Sequence, residues 1–278
     1  MGLFHAVFLG IIQGLTEFLP ISSSGHLVLF QYLFGIKEPE IFFDVAVHMG
    51  TLMAVCIFFS RELKGIARVF FSVSTWSGGD ENFWQPFIKK PEMRLLTLII
   101  VGTIPTGVIG LAFRSAADTI FSSVRLVGGM LLVTGLILWF TRGLKKGGRN
   151  TGKMTLWDGL TVGLMQGVAV LPGISRSGAT IGIALLRGLD REAAACYSFL
   201  LSIPAILGAM TLELYQARGS VSPAMAPVLL GACAAGLVGY GALKVLVHIL
   251  KKGELYVFAP YCWLVGAIAI GWSFLWGC

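Results

Sequence analysis

Five residues of this 278-residue chain have the types and spacing to handle a phosphate: Gln13, Glu17, Ser23, His26 and Arg176. Gln13 and Glu17 lie at i and i+4, on one face of a helix. Glu17 can ligate a divalent cation, act as a base, or both, and Gln13 can add a neutral carbonyl ligand. Ser23 can attack phosphorus if Glu17 or His26 activates it. His26 can give or take a proton near neutral pH. Arg176 carries a planar donor fork that matches phosphate oxygens. The nucleophile is open at this point among Ser23, His26 and water.

The neighbours of these residues point the same way. Ser22, Ser24 and Gly25 flank Ser23, and Ser175, Ser177, Gly178 and Thr180 surround Arg176. Serine favours the start of a helix, and glycine lets a backbone approach a ligand closely. A helix N-terminus with unpaired N–H groups suits an anion. The pattern predicts short helices starting near His26 and near Ala179, with a phosphate or pyrophosphate bound between them and Arg176 as its main charge. Two plainer readings compete. A Ser/Gly cluster can serve helix packing alone, and a buried Arg176 can pair with Glu17, which does not exclude phosphate.

These residues belong to two near copies of one pattern. Gln13–His26 and Gln166–Gly178 both read Q-G, a few residues, L-P, then I-S-x-S-G, with Gln13 to Gln166 and Gly25 to Gly178 both 153 residues apart. Each copy puts proline, serine, glycine and charge inside an otherwise apolar stretch. In a membrane such interruptions persist only where they are buried in protein or line a watery cavity. A matched pair of broken segments points to one site at the interface of two repeats.

Composition sets the solvent. The chain is 56% hydrophobic and only 13% charged, with a mean hydropathy of +0.82; a soluble domain carries about 25% charged residues. The net charge of +7 therefore reflects loop lysines and arginines, and nucleic-acid binding is not expected. Met1–His5 lacks the basic start of a signal peptide, so the first apolar segment is expected to be retained. The five cysteines have no metal or redox spacing and read as packing residues.

The expected fold is an all-α integral membrane protein built as an inverted-topology repeat, with six transmembrane helices and two re-entrant helical hairpins. Crossings are predicted at roughly 41–60, 94–113, 124–141, 192–212, 224–249 and 256–276. The hairpins are 3–35 and 156–188. Repeat one is 1–142, a basic linker covers 143–153, and repeat two is 154–278. Three crossings per repeat require the halves to be inverted. Fifteen lysines and arginines then fall on one side, which should be cytoplasmic: Arg61, Lys64, Arg68, Lys89, Lys90, Arg94, Arg142, Lys145, Lys146, Arg149, Lys153, Arg187, Arg191, Lys251 and Lys252. Lys37, Arg114, Arg125 and Arg218 fall on the other. The first hairpin opens outward and the second inward. The segment 72–92 reads as a cytoplasmic loop with an interfacial helix near Phe83–Ile88. Small residues in Gly231–Gly241 suit a helix contact, either internal or in a homodimer. His48, four residues after Asp44, is a candidate neighbour of the site; His5 and His248 read as incidental groups near membrane edges, and Glu213 as the solvated outer end of the fourth crossing.

The stretches E-F-L-P-I-S-S-S-G-H (Glu17–His26) and P-G-I-S-R-S-G-A-T (Pro172–Thr180) resemble the two signature motifs of the bacterial undecaprenyl pyrophosphate phosphatase family, the bacitracin-resistance proteins. The resemblance spans essentially the whole chain, including D-x-x-x-H-x-G-T at Asp44–Thr51. It implies removal of one phosphate from undecaprenyl pyrophosphate, giving the lipid carrier of cell-wall synthesis, with Mg²⁺ or Ca²⁺ as cofactor. It implies a site open to the periplasmic side of a bacterial inner membrane. Glu17 matches the essential glutamate, Ser23 the proposed nucleophile, His26 the catalytic histidine and Arg176 the phosphate-binding arginine. Gln13 stands where the family has Glu or Gln, so a metal site needing two carboxylates is in doubt here. The competing class is a lipid-carrier or solute transporter, since inverted repeats with broken helices suit alternating access. Ser24-Gly25-His26 also matches part of the P-S-G-H motif of type-2 phosphatidic acid phosphatases, but their other motifs are missing.

Overall fold

A computed structural model describes residues 2–35, 41–74, 91–113, 123–144, 147–216 and 225–276. Among these residues there are eleven α-helices and no strand. They are α1 (Leu3–Phe18), α2 (Ser23–Leu33), α3 (Ile41–Phe58), α4 (Ser60–Ser74), α5 (Pro91–Phe113), α6 (Val124–Trp139), α7 (Leu156–Val168), α8 (Arg176–Leu186), α9 (Arg191–Gln216), α10 (Met225–Lys252) and α11 (Ala259–Trp276). The broken segments form two helical pairs as expected, α1–α2 and α7–α8. The anticipated interfacial helix at Phe83–Ile88 lies outside the described residues, as do Lys37, Lys89, Lys90, Arg114, Lys145, Lys146 and Arg218.

Each expected crossing is a helix, yet the lengths differ from the sequence reading. Among the described residues four helical spans are long and apolar enough to cross a membrane: Pro91–Phe113, Arg191–Tyr215, Met225–Lys252 and Leu255–Phe274. The first expected crossing ends at Phe58, and the chain bends by 79° into α4. Helix α4 is amphipathic: Leu63 and Ile66 pack on the core while Arg61, Lys64 and Arg68 face outward. Helix α6 has 16 residues, about 24 Å at 1.5 Å per residue, short of the roughly 30 Å hydrocarbon thickness.

Close backbone contacts give the helix directions. Gly14 approaches α10 so tightly that a Cβ there would lie 2.7 Å from the Ala235 carbonyl oxygen; Gly10 meets Gly231 one turn earlier. Phe43 meets Gly231, and Gly50 meets Ala232 and Gly236. Helices α1, α3 and α10 therefore run parallel. On the other side, Leu98 lies against Gly159 and Gly102 against Gly163, while the Tyr197 hydroxyl donates to the Leu98 carbonyl at 2.7 Å. Helices α5, α7 and α9 run parallel too. Phe59, just past α3, stacks on Phe199, whereas His48, earlier in α3, lies within charge range of Glu213. Helices α3 and α9 are thus opposed, and so are the first arms α1 and α7. The small residues of Gly231–Gly241 are largely spent inside the chain: Gly231 faces Phe43, Gly236 faces Gly50 and Gly239 faces Phe18.

The core lies where these sets meet, with Phe18, Phe59, Tyr197 and Phe199 buried together. Large apolar side chains such as Ile104, Leu237 and Leu264 face outward, which is the pattern of helices bathed in lipid. The linker before α7 is tied down by charge. Arg149 donates to both oxygens of buried Asp158, at 2.6 and 2.9 Å, and Arg187 Nε adds a bond of 3.0 Å. Thr155 and Asp158 form a capping box at the start of α7.

Candidate active site at the meeting of the two hairpin tips

Each tip is a helix stop, a short turn and a helix start. Helix α1 ends at Phe18 before Pro20, which has no N–H to continue it. Helices α2 and α8 begin at Ser23 and Arg176, three residues earlier than expected. The reason is capping: the Ser22 hydroxyl accepts the Gly25 N–H at 3.4 Å, and the Ser175 hydroxyl accepts the Gly178 N–H at 3.2 Å. Ser23 and Arg176 therefore occupy matching first positions of their helices.

The tips are bolted to each other. Ser22 adopts a left-handed backbone conformation with φ of 70°, uncommon for a residue with a side chain. That conformation lets its hydroxyl also accept the Gly173 N–H of the other tip at 3.1 Å. Gly173 has φ of 97°, and a Cβ there would meet Met130. Thr134 of α6 grips the second tip at both ends, donating to the Gly173 carbonyl at 2.8 Å and accepting the Ser175 N–H at 3.0 Å. The Cys262 thiol of α11 reaches the Pro20 carbonyl at 3.5 Å.

At this junction Glu17 is the hub. Its Oε2 accepts the Ser23 hydroxyl at 2.6 Å and the Gln13 amide at 3.0 Å. Its Oε1 accepts Nη2 of Arg176 from the other half of the chain. His48 Nε2 lies 3.9 Å from Oε2, and its Nδ1 bonds the Asp44 carbonyl at 2.7 Å. The side chains are 6% exposed for Glu17 and 17% for Arg176. Two buried polar atoms at the hub lack a hydrogen-bond partner: Gln13 Oε1 and Arg176 Nη1. Buried polar atoms are rarely left so, and here one is an acceptor and one a charged donor.

The structure thus brings together Gln13, Glu17, Ser23 and Arg176. His26 sits one turn along α2, 2.7 Å from the Ser22 carbonyl and 2.7 Å from the Tyr261 hydroxyl. The remaining hydroxyls engage their own tips: Ser24 lies 3.4 Å from the Ser22 hydroxyl, Ser177 lies 3.2 Å from that of Ser175, and Thr180 donates to the Arg176 carbonyl at 2.8 Å. Gly25 and Gly178 lie where the tips touch, beside Gly173 and Pro20 respectively. Sequence reasoning did not find Thr134 or Tyr261, since neither sits in a repeated pattern. Glu213 is exposed, as expected of a helix end. The repeated glutamine diverges in role: Gln166 donates to Thr106 at 3.3 Å and to the Leu201 carbonyl at 3.2 Å, inside the helix packing.

The family model described as bacitracin resistance protein BacA matches residues 6–268. The chain belongs to this family. It is a multi-pass membrane protein, as its apolar helices require. A protein of Desulfatibacillum aliphaticivorans named undecaprenyl-diphosphatase is 49% identical over 272 residues, covering 98% of this chain and 99% of its own length. One of Desulforapulum autotrophicum with the same name is 49% identical over 270 residues, covering 97% and 98%. One of Methanosphaera stadtmanae, again so named, is 41% identical over 271 residues, covering 97% and 98%.

Proposed function

We propose that the chain is an undecaprenyl-diphosphate phosphatase, hydrolysing undecaprenyl pyrophosphate to undecaprenyl phosphate and inorganic phosphate. The observation that carries this reading is the constellation at the tip junction: a serine hydroxyl 2.6 Å from a buried carboxylate, which in turn is paired with an arginine whose second nitrogen has no partner. The names and near-complete coverage of the relatives support the same substrate.

The chemistry follows from these atoms. Glu17 accepts the proton of Ser23 as the serine oxygen bonds to the terminal phosphorus. The phosphoric anhydride P–O bond breaks, and undecaprenyl phosphate leaves with the bridging oxygen. Water then cleaves the phosphoserine and releases phosphate. Arg176 Nη1 donates to the transferring phosphoryl group while Nη2 keeps its hold on Glu17. Charge neutralisation and positioning supply most of the rate, as in phosphoryl transfer generally.

A divalent cation fits this site as a shared ligand. Among the described residues no cluster of three His, Cys, Asp or Glu side chains could hold a metal. Gln13 turns its Nε2 to the Glu17 carboxylate and leaves Oε1 buried without a partner; with the amide turned over, that oxygen and the carboxylate would be ligands suited to Mg²⁺ or Ca²⁺. Such a cation would neutralise pyrophosphate charge.

The two halves are read as inverted repeats, 1–142 and 154–278 joined by linker 143–153, each a re-entrant hairpin followed by three crossings. The opposed directions of α1 and α7 support this. The site is assigned to the periplasmic face of a bacterial inner membrane, where the first hairpin opens, with the lipid entering sideways from the outer leaflet. Phosphate release from undecaprenyl pyrophosphate by purified protein in detergent, with and without chelator, tests the reading. Metal-dependent release is expected; no release from folded protein under several cations would overturn it.

A further inference from the structure

His26 has both ring nitrogens engaged, and one partner comes from the last helix. Nδ1 lies 2.7 Å from the Ser22 carbonyl oxygen, and Nε2 lies 2.7 Å from the Tyr261 hydroxyl. The two rings lie nearly parallel, 9° apart in plane, with centroids 5.8 Å apart. A carbonyl only accepts, so Nδ1 carries a proton; in the neutral ring Nε2 is then the acceptor and Tyr261 the donor. Which nitrogen is basic is thus decided by the Ser22 carbonyl, as for histidines fixed by a second hydrogen bond.

The placement of Tyr261 gives this contact a further consequence. His26 is 5% exposed and Tyr261 is 41% exposed, so a buried imidazole is bonded to a side chain that reaches the protein surface. The next residue, Cys262, reaches the Pro20 carbonyl of the same hairpin. One turn of α11 therefore holds both the tip of the first hairpin and the ring of its histidine. Residues 26 and 261 belong to opposite halves, so the second hold on the ring exists only when the halves are assembled.

We propose that Tyr261 is a positioning residue for His26: the Ser22 carbonyl sets the Nδ1–H tautomer, and the Tyr261 hydroxyl donates to the basic Nε2 and fixes where the ring presents it. The proposal rests on the phosphatase reading, to which it adds a proton exchange at His26 Nε2, and on no metal.

The test is Tyr261→Phe, which keeps the ring and its stacking and removes only the hydroxyl. Wild-type and variant protein are labelled with ¹⁵N-histidine in detergent, and His26→Gln assigns the His26 signals. The wild type should show one protonated and one pyridine-type nitrogen at His26, and in the variant the pyridine-type Nε2 signal should move as its hydrogen-bond donor is lost. Loss of one neutral hydrogen bond should lower kcat about tenfold, with KM for undecaprenyl pyrophosphate changed less than twofold. An unchanged kcat would overturn the proposal, and so would a lower kcat with unchanged His26 signals, which would mean a packing role only. If the wild type itself releases no phosphate, the phosphatase reading fails, while the nitrogen spectra still judge the Tyr261 contact.

Discussion

Replacing Arg176 by lysine separates the geometry of the charge from the charge itself. Arg176 donates Nη2 to Glu17, while Nη1 is buried with no partner and is the donor assigned to phosphate. Lysine keeps the positive charge but offers one nitrogen, which cannot hold the carboxylate and a phosphoryl oxygen in one rigid fork. One charge-assisted hydrogen bond is lost, about 1.5–3 kcal/mol. At about 1.4 kcal/mol per decade, kcat/KM should fall roughly 10- to 150-fold. Arg176→Ala does something different. It leaves Glu17 buried without its cation, and breaking a buried pair costs about 3–5 kcal/mol of stability. The alanine variant should lose folded protein, whereas the lysine variant should fold and turn over slowly. The assay is phosphate release from undecaprenyl pyrophosphate at fixed detergent and Mg²⁺, read beside thermal unfolding of each variant. A lysine variant within twofold of wild-type kcat/KM would refute the role given to Nη1. One that unfolds as readily as the alanine variant would mean that the pair serves folding alone.

Ser23→Ala should lower kcat by on the order of 10²- to 10⁴-fold, the usual worth of a positioned proton transfer, and should abolish a phosphoenzyme trapped by acid quench from ³²P-labelled substrate; trapping equal to wild type would remove Ser23 as nucleophile. Gln13→Glu puts a second carboxylate at the atom pair now 3.0 Å apart, so the Mg²⁺ concentration for half-maximal activity should fall; an unchanged metal titration would take Gln13 out of the cation site. Ser22→Ala keeps the left-handed backbone but strips the Gly173 and Gly25 N–H groups of their acceptor, which should cost about 1–3 kcal/mol in unfolding experiments; stability within 0.5 kcal/mol of wild type, about the scale of a neutral surface change, would show that the tips do not depend on this bolt.

Much of the fold is legible because a bilayer imposes simple rules. Long apolar runs must be helices, since no water satisfies the backbone, and α5, α9 and α10 follow directly from hydropathy. The broken segments stand out for the same reason: Glu17, Pro20 and three serines have no place on a lipid-facing helix. Helix α4 was hidden because Arg61, Lys64 and Arg68 make it look like a charged loop; only its inward face, Leu63 and Ile66, marks it as packed. The starts of α2 and α8 were misplaced because several serines in each tip are equally good caps, and only the bonds accepted by Ser22 and Ser175 choose among them.

Residue chemistry and the 153-residue repeat by themselves determined that Glu17, Ser23 and Arg176 belong to one site, because charge inside an apolar stretch needs a partner and the repeat supplies it. Tertiary structure alone decided how they are joined. It made Glu17 the acceptor for Ser23, Gln13 and Arg176 at once, and it turned one copy of a repeated glutamine toward the site and the other into helix packing. It also brought Tyr261 to His26 across 235 residues. Hydropathy carries the need for burial but not direction or distance, and a hydrogen bond exists only within about 3 Å and a narrow angle. Those quantities are settled when the two opposed hairpins and the helices around them are packed.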